Sequence, residues 1–152
     1  MGCEQTNLAA RALSAMLAAG TLPESARIEL LRGAAAHEAS YPEFCVDVTR
    51  QRSRSRDARF SPLAPEWGTI RARKRGWLDE DAFADAYYRG LVEEEAERAF
   101  RALHLVGRHA GGTVRLLCFC PDGVFCHTHL LIAYATTRFH AKFATPYNYT
   151  TY

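Results

Sequence analysis

Two short apolar segments, separated by a long helical pattern, constrain the fold of this chain more than any other feature. Residues 44–49 form a short β-branched run, and residues 113–120 contain a nearly continuous apolar run, as expected of a strand covered on both faces. A helix is predicted from residue 78 to about 106 between them, and another from 126 to about 143 after them. This order of strand, helix, strand and helix is typical of an α/β fold with parallel strands.

The beginning of the chain is predicted to be helical. Residues 5–19 carry apolar side chains at helical spacing. A second helix is expected over residues 23–37, because its apolar side chains fall on one face and Pro23 suits a first helical turn. Together the two segments predict an N-terminal helical hairpin.

The length of 152 residues fits a single domain. We expect a helical extension over residues 1–40, an α/β core over residues 43–143 and an aromatic tail over residues 144–152. The core should hold a small, mostly parallel sheet flanked by helices.

Cysteine usage and hydropathy indicate the cellular compartment in which this protein is expected to function. Three of the five cysteines lie between positions 118 and 126, whereas a secreted disulfide framework usually has an even number of spread cysteines. Clustered cysteines beside histidines favour a reducing compartment, and no apolar run approaches the length that spans a bilayer. We therefore expect a cytoplasmic or otherwise intracellular protein without a transmembrane segment. Gly2 and Cys3 fit the loose pattern for acylation, but that pattern is too short to predict a lipid anchor.

Positive charge is concentrated in one stretch of the chain. Residues 50–75 hold nine arginines and lysines against two carboxylates, while the whole chain has a net charge of +2. Such a stretch can attract phosphate groups or nucleic acid, and it is equally typical of a solvated surface loop.

A cluster of cysteines and histidines carries the strongest signal for chemistry. Cys118 and Cys120 end the second strand, and Cys126, His127 and His129 open the last helix. The N-terminus of a helix favours an anion, so it lowers the pKa of a thiol placed there and can also hold a phosphate.

The predicted strands point to one crevice. In a parallel sheet, ligands bind beyond the carboxyl ends of the strands, and both predicted strands end in polar residues. The candidate catalytic residues are Cys126, His127, His129 and Asp47. The candidate ligand-binding residues are Arg50, Arg52, Arg54, Cys120, Asp122 and Thr128.

Zinc is the alternative occupant of this cluster. Zinc binds four nitrogen or sulfur ligands, which Cys118, Cys120, Cys126 and His129 could supply. His127 and His129 do not face each other on a helix, whereas Cys126 and His129 share a face. A third interpretation is structural, because free cysteines such as Cys118 are commonly small core residues.

These motifs resemble a known family. Leu116-Leu117-Cys118, followed by Cys126-His127 and an apolar helix, is similar to the C-terminal signature of the domain of unknown function 488 family. Asp47-Val48-Thr49-Arg50, Ser53-Arg54 and Phe60-Ser61-Pro62 resemble its aspartate-containing stretch and its loop. Cys118-Phe119-Cys120 with Cys126-His127 also looks like the related domain of unknown function 4326. The resemblance covers roughly residues 43–140.

The resemblance implies a small Rossmann-like fold with a nucleotide- or nucleic-acid-related role. Thr128 stands where the family usually has arginine, Cys120 where it often has an acidic residue, and the expected opening strand is missing from residues 1–40. The leading hypothesis is an enzyme or ligand-binding protein that acts on a nucleotide or other phosphate-bearing ligand through the Cys126-His127 centre. The alternative is a non-catalytic module that binds nucleic acid through residues 50–75 or is held together by zinc.

Overall fold

The computed structural model describes residue 11 and residues 21–50, 57–120 and 123–145. Five parallel strands form one sheet in the order β3-β2-β4-β1-β5. The strands are β1 (Ile28–Ala34), β2 (Phe44–Asp47), β3 (Ala58–Arg59), β4 (Thr113–Cys118) and β5 (Phe143–Ala144). The predicted α/β fold with a parallel sheet is therefore confirmed.

Four α-helices are described: α1 (Trp67–Lys74), α2 (Glu80–Leu91), α3 (Glu94–His109) and α4 (His127–Arg138). Short 3-10 helices occupy Ala35–Ser40 and Ser61–Leu63. No helix in the described ranges is long and apolar enough to cross a membrane.

The predicted helix over residues 23–37 is wrong, because most of it is β1. This strand lies inside the sheet, between β4 and β5. A strand buried on both faces lacks alternation, so its apolar residues also fit a helical period, and pairing with β4 decides between the two. The expected helical hairpin thus loses its second helix, and a strand does lie within residues 1–40. The predicted first helix, residues 5–19, lies outside the described residues apart from Arg11.

The long helix predicted over residues 78–106 is two helices. The backbone of Glu93 is extended between them, and Glu93 occupies the position directly before α3. Glu94, Glu95 and Glu97, which follow it, lie in the first turn of α3. Carboxylates are favourable there because they face the positive end of the helix dipole.

The core lies between one face of the sheet and helices α2, α3 and α4. Its fully buried side chains include Leu30 and Leu116 from the sheet and Leu103 and Ile132 from the helices. Burial of this apolar surface supplies the main driving force for the fold. The same arrangement places the beginning of α4 over the carboxyl ends of β1 and β4.

Candidate functional site

The candidate site lies where three strands end and α4 begins. Cys118 is the last residue of β4, Arg32 lies near the end of β1, and Val48 directly follows β2. Cys126 occupies the position before α4 and has an extended backbone, which starts the helix at His127. Parallel strands thus bring residues that are far apart in sequence to one edge of the sheet.

Three cysteines form the centre of the site. The sulfurs of Cys118 and Cys126 are 2.8 Å apart, and both side chains are buried. Cys120 is partly exposed, and all three sulfurs lie within 4.8 Å of one another.

Arg32 and Thr128 connect the cysteines to the sheet. The guanidinium of Arg32 donates to the Cys118 sulfur at 3.4 Å, to the Cys120 carbonyl at 3.1 Å and to the Thr128 hydroxyl at 3.2 Å. The Thr128 hydroxyl in turn donates to the Cys126 sulfur at 3.3 Å. A continuous path of hydrogen bonds therefore runs from the end of β1 to the Cys126 sulfur.

These donors favour the charged form of Cys126. Hydrogen bonds from the thiols of Cys118 and Cys120 and from the Thr128 hydroxyl hold the pKa of Cys126 well below its ordinary value, against the opposing effect of burial. The pKa of Cys120 is raised, because its thiol donates within the same cluster. Of these two thiols, Cys126 is therefore the one that ionises more readily.

His127 is oriented so that one ring nitrogen faces Cys126. Its Nε2 lies 2.7 Å from the Val48 carbonyl, which can only accept, so Nε2 carries the hydrogen of the neutral ring. Its Nδ1 is then an acceptor, 3.7 Å from the Cys126 sulfur. Burial lowers the pKa of His127, which keeps the ring neutral at neutral pH. The edge-on ring of Tyr87, 5.5 Å away, packs against it.

Asp47, a predicted catalytic residue, is the last residue of β2. It is almost completely buried, and its Oδ1 accepts from the backbone N–H and the hydroxyl of Thr49. It therefore fixes the turn after β2, which positions the Val48 carbonyl and the lining residue Thr49.

A cavity of about 330 Å³ opens beside the cysteines. Its floor includes the three cysteines and His127, and its cationic lining comes from Arg50, Arg73 and Lys74. Its apolar walls are formed by Pro65, Trp67, Ile70, Phe83, Phe119 and Phe125. Helix α1 supplies much of this wall, so the basic segment noted in the sequence partly covers the site.

The remaining predicted residues are divided between the site and its surroundings. Arg50 lines the cavity while its guanidinium donates to the Pro65 carbonyl at 2.9 Å. Arg52, Arg54 and Asp122 lie outside the described residues. His129 is buried on α4. Among the described residues, the three cysteines lie close enough together to bind one metal ion, and His129 is not part of that group.

Sequence reasoning missed Arg32 and the aromatic walls of the cavity. Arg32 lies in the segment that was predicted to be helical, where an arginine is unremarkable. The available signal was an arginine directly after the apolar pair Leu30-Leu31 in Ile28–Ala34, because a charge in a largely buried strand requires partners.

Comparison with known proteins finds one family. The family model DUF488-N3a, described as the active DUF488-N3 subclade, matches residues 33–138. No curated protein and no solved structure matches the chain. The matched range begins within β1 and ends with α4, so it includes every described residue of the cysteine centre except Arg32.

Proposed function

This chain belongs to the DUF488 family, within the subclade described as active, and from that premise we propose that Cys126 and His127 act on a phosphate-bearing ligand, in the first place a nucleotide. Cys126 is the proposed nucleophile or anionic centre. His127 is the proposed proton carrier.

One observation carries the proposal: a buried sulfur, surrounded by hydrogen-bond donors, borders an open cavity. Donors from Cys118 and Thr128 converge on Cys126, and the thiolate form of cysteine is the reactive nucleophile. A cysteine that only filled the core would not need this set of polar partners.

His127 is suited to moving a proton at the same sulfur. Its unprotonated Nδ1 faces Cys126, and its Nε2 is anchored to the Val48 carbonyl. A nucleophile whose base is oriented by a third group is a recurrent arrangement in covalent catalysis. His129 and Asp47, the other predicted catalytic residues, would act through position, since neither lines the cavity.

The cavity supports the choice of ligand. Its volume of about 330 Å³ lies at the lower end of the range for small-molecule sites, about 300–1,000 Å³. Aromatic walls can stack on a planar base, and Arg50, Arg73 and Lys74 can pair with phosphate oxygens.

The first test combines metal analysis with thiol reactivity. Purified reduced protein is analysed for zinc, and the rate at which iodoacetamide alkylates Cys126 at neutral pH is measured on the same sample. We expect no stoichiometric zinc, fast alkylation of Cys126, and protection of Cys126 by a nucleoside phosphate.

Variants make the same test specific for the ligand. Lys74→Ala should weaken the protection by nucleotide, while Arg101→Ala, which removes an exposed cation of α3 away from the cavity, should leave it unchanged. If no nucleoside phosphate and no inorganic phosphate protects Cys126, the proposed ligand class is wrong.

The three clustered cysteines also favour a second candidate, a non-catalytic module held by zinc. Three sulfurs within 4.8 Å of one another could move apart slightly to bind one ion, with the fourth ligand from elsewhere. In that case nucleic acid would bind to residues of α1 and to Trp77. The Trp77 side chain is exposed, and the Arg75 guanidinium lies over its ring. Stoichiometric zinc, an unreactive Cys126 and nucleic-acid binding that weakens steeply with salt would favour this candidate.

A further inference from the structure

We propose that Cys118 and Cys126 form a reversible dithiol–disulfide pair, oxidised by hydroperoxides that enter through the cavity. This modification site involves only the two thiols, so it does not depend on the ligand proposed above.

The two sulfurs are already close. They lie 2.8 Å apart, so forming a bond of about 2.05 Å requires a further approach of less than about 1 Å. Cys118 is the last residue of β4 and Cys126 is the residue directly before α4, so each sulfur lies at the end of a regular element. The short contact is therefore maintained by the fold.

The pair is accessible although it is buried. Both side chains are shielded from bulk solvent, yet both border the cavity. The cavity thus offers a small hydroperoxide a route to both sulfurs.

The chemistry balances with a hydroperoxide as the oxidant. The Cys126 thiolate attacks the terminal oxygen of R–O–O–H, the O–O bond breaks, and Cys126 becomes a sulfenic acid while the alkoxide leaves and takes up a proton. The Cys118 sulfur then attacks the Cys126 sulfur, the S–O bond breaks, and water leaves as the disulfide forms. Two thiols and one hydroperoxide give one disulfide, one alcohol and one water; hydrogen peroxide gives two waters.

Cys45 provides a matched control within the same chain. It is a buried free cysteine of β2 that does not line the cavity. Burial, together with the nearby carboxylates of Asp57 and Glu43, raises the pKa of Cys45 to about 11. It should therefore resist the same oxidant.

The experiment titrates the reduced, full-length protein with hydrogen peroxide and maps the product without reduction. Chymotrypsin cleaves after Phe119 and Phe125, which separates Cys118, Cys120 and Cys126 into different peptides. We expect one equivalent of peroxide to consume two thiols per chain. The peptide ending at Phe119 should become linked to the peptide beginning at Cys126, and dithiothreitol should reverse the link.

Variants test the order of the steps. Cys118→Ser and Cys118→Ala should leave Cys126 as a sulfenic acid that dimedone traps, whereas Cys45→Ser should form the disulfide as the unmodified chain does. A disulfide between Cys120 and Cys126 in the unmodified chain would overturn the proposal. So would a Cys126 sulfenic acid that persists while Cys118 is present, or peroxide resistance with stoichiometric zinc. The peptide map of the unmodified chain decides these outcomes even if both Cys118 variants fail to fold.

Discussion

At the scale of single residues, the Cys126 sulfur depends on side chains from other parts of the chain. The Thr128 hydroxyl donates to it, and Arg32 holds that hydroxyl from β1. His127 presents an unprotonated nitrogen to it because the Val48 carbonyl accepts from the other ring nitrogen. These contacts act on the Cys126 sulfur together with the hydrogen bonds from the thiols of Cys118 and Cys120.

Thr128→Val tests the hydroxyl donor. A hydrogen bond to a charged group contributes about 1.5–3 kcal/mol, so its loss should raise the pKa of Cys126 by about one to two units. The pKa of Cys126 is lowered to about 3 in the unmodified chain. As pH falls from about 6 to about 3, alkylation of Cys126 should therefore begin to fall at a higher pH in the variant than in the unmodified chain.

The control for this prediction is Thr137→Val, which changes an exposed threonine of the same helix. Its alkylation rates should match those of the unmodified chain throughout. Equal pH profiles for the two variants would show that the Thr128 hydroxyl does not tune the thiol.

Arg32→Met tests the partly buried arginine of β1. The methionine fills similar space but cannot donate, so the Cys120 carbonyl and the Thr128 hydroxyl lose a partner. An unsatisfied buried polar group costs about 1–3 kcal/mol, and we expect the free energy of unfolding to fall by that amount. Urea denaturation measures it. Arg101→Met, on the exposed side of α3, should change stability by less than about 0.5 kcal/mol; an equally small change at Arg32 would contradict the prediction.

At the scale of elements, close packing between α3 and β1 depends on a glycine. A Cβ added at Gly107 would clash with the side chain of Ile28, which is fully buried. The helix therefore approaches the strand more closely than an alanine would allow. This contact helps to hold the inner strand that carries Arg32.

Gly107→Ala and Gly90→Ala form a matched pair that tests this packing. In open space, alanine favours a helix over glycine by about 1 kcal/mol. Nothing lies within 4 Å of a Cβ at Gly90 in α2, so Gly90→Ala should raise the free energy of unfolding by up to about 1 kcal/mol. Gly107→Ala should lower it by about 1–3 kcal/mol, the usual cost of overpacking. Thermal and urea unfolding measure both, and stabilisation by Gly107→Ala would disprove the close contact.

At the scale of the whole molecule, the sheet has a second, more polar face. Glu43, before β2, accepts from Arg115 of β4 at 2.9 Å, and the guanidinium lies 4.3 Å from the centre of the Tyr41 ring. Arg115 also donates to the Arg32 carbonyl at 2.7 Å, which links β4 to β1. Through these contacts, Arg115 connects β4 to β1 and to the segment before β2 on the face of the sheet opposite the helices.

Glu43→Gln tests this support through its pH dependence. The hydrogen bond from Arg115 lowers the pKa of Glu43, so the folded state favours the carboxylate. Its contribution to stability is fully present above the unfolded-state pKa of about 4.3 and is lost as pH falls through the lower folded-state pKa. The stability difference between the unmodified chain and the variant should be constant near neutral pH and shrink in acid. Glu95→Gln, at an exposed position of α3, should show no such difference, and a Glu43→Gln difference that persists in acid would contradict the prediction.

Local sequence patterns were enough to predict the class of fold and the centre of the candidate site. Short apolar runs with a helical region between them predict parallel strands, and Cys118, Cys120, Cys126 and His127 are close in the chain, so they were expected to lie together. The other features of the site depend on tertiary contacts. Residues 28–34 suit a helix or a buried strand equally well by local pattern, and pairing with β4 selects the strand. As part of this strand, Arg32 lies beside the cysteines and donates a hydrogen bond to Thr128, which is 96 residues later in the chain. Local sequence cannot encode such a contact, because it exists only once the hydrophobic core has fixed the order of the strands.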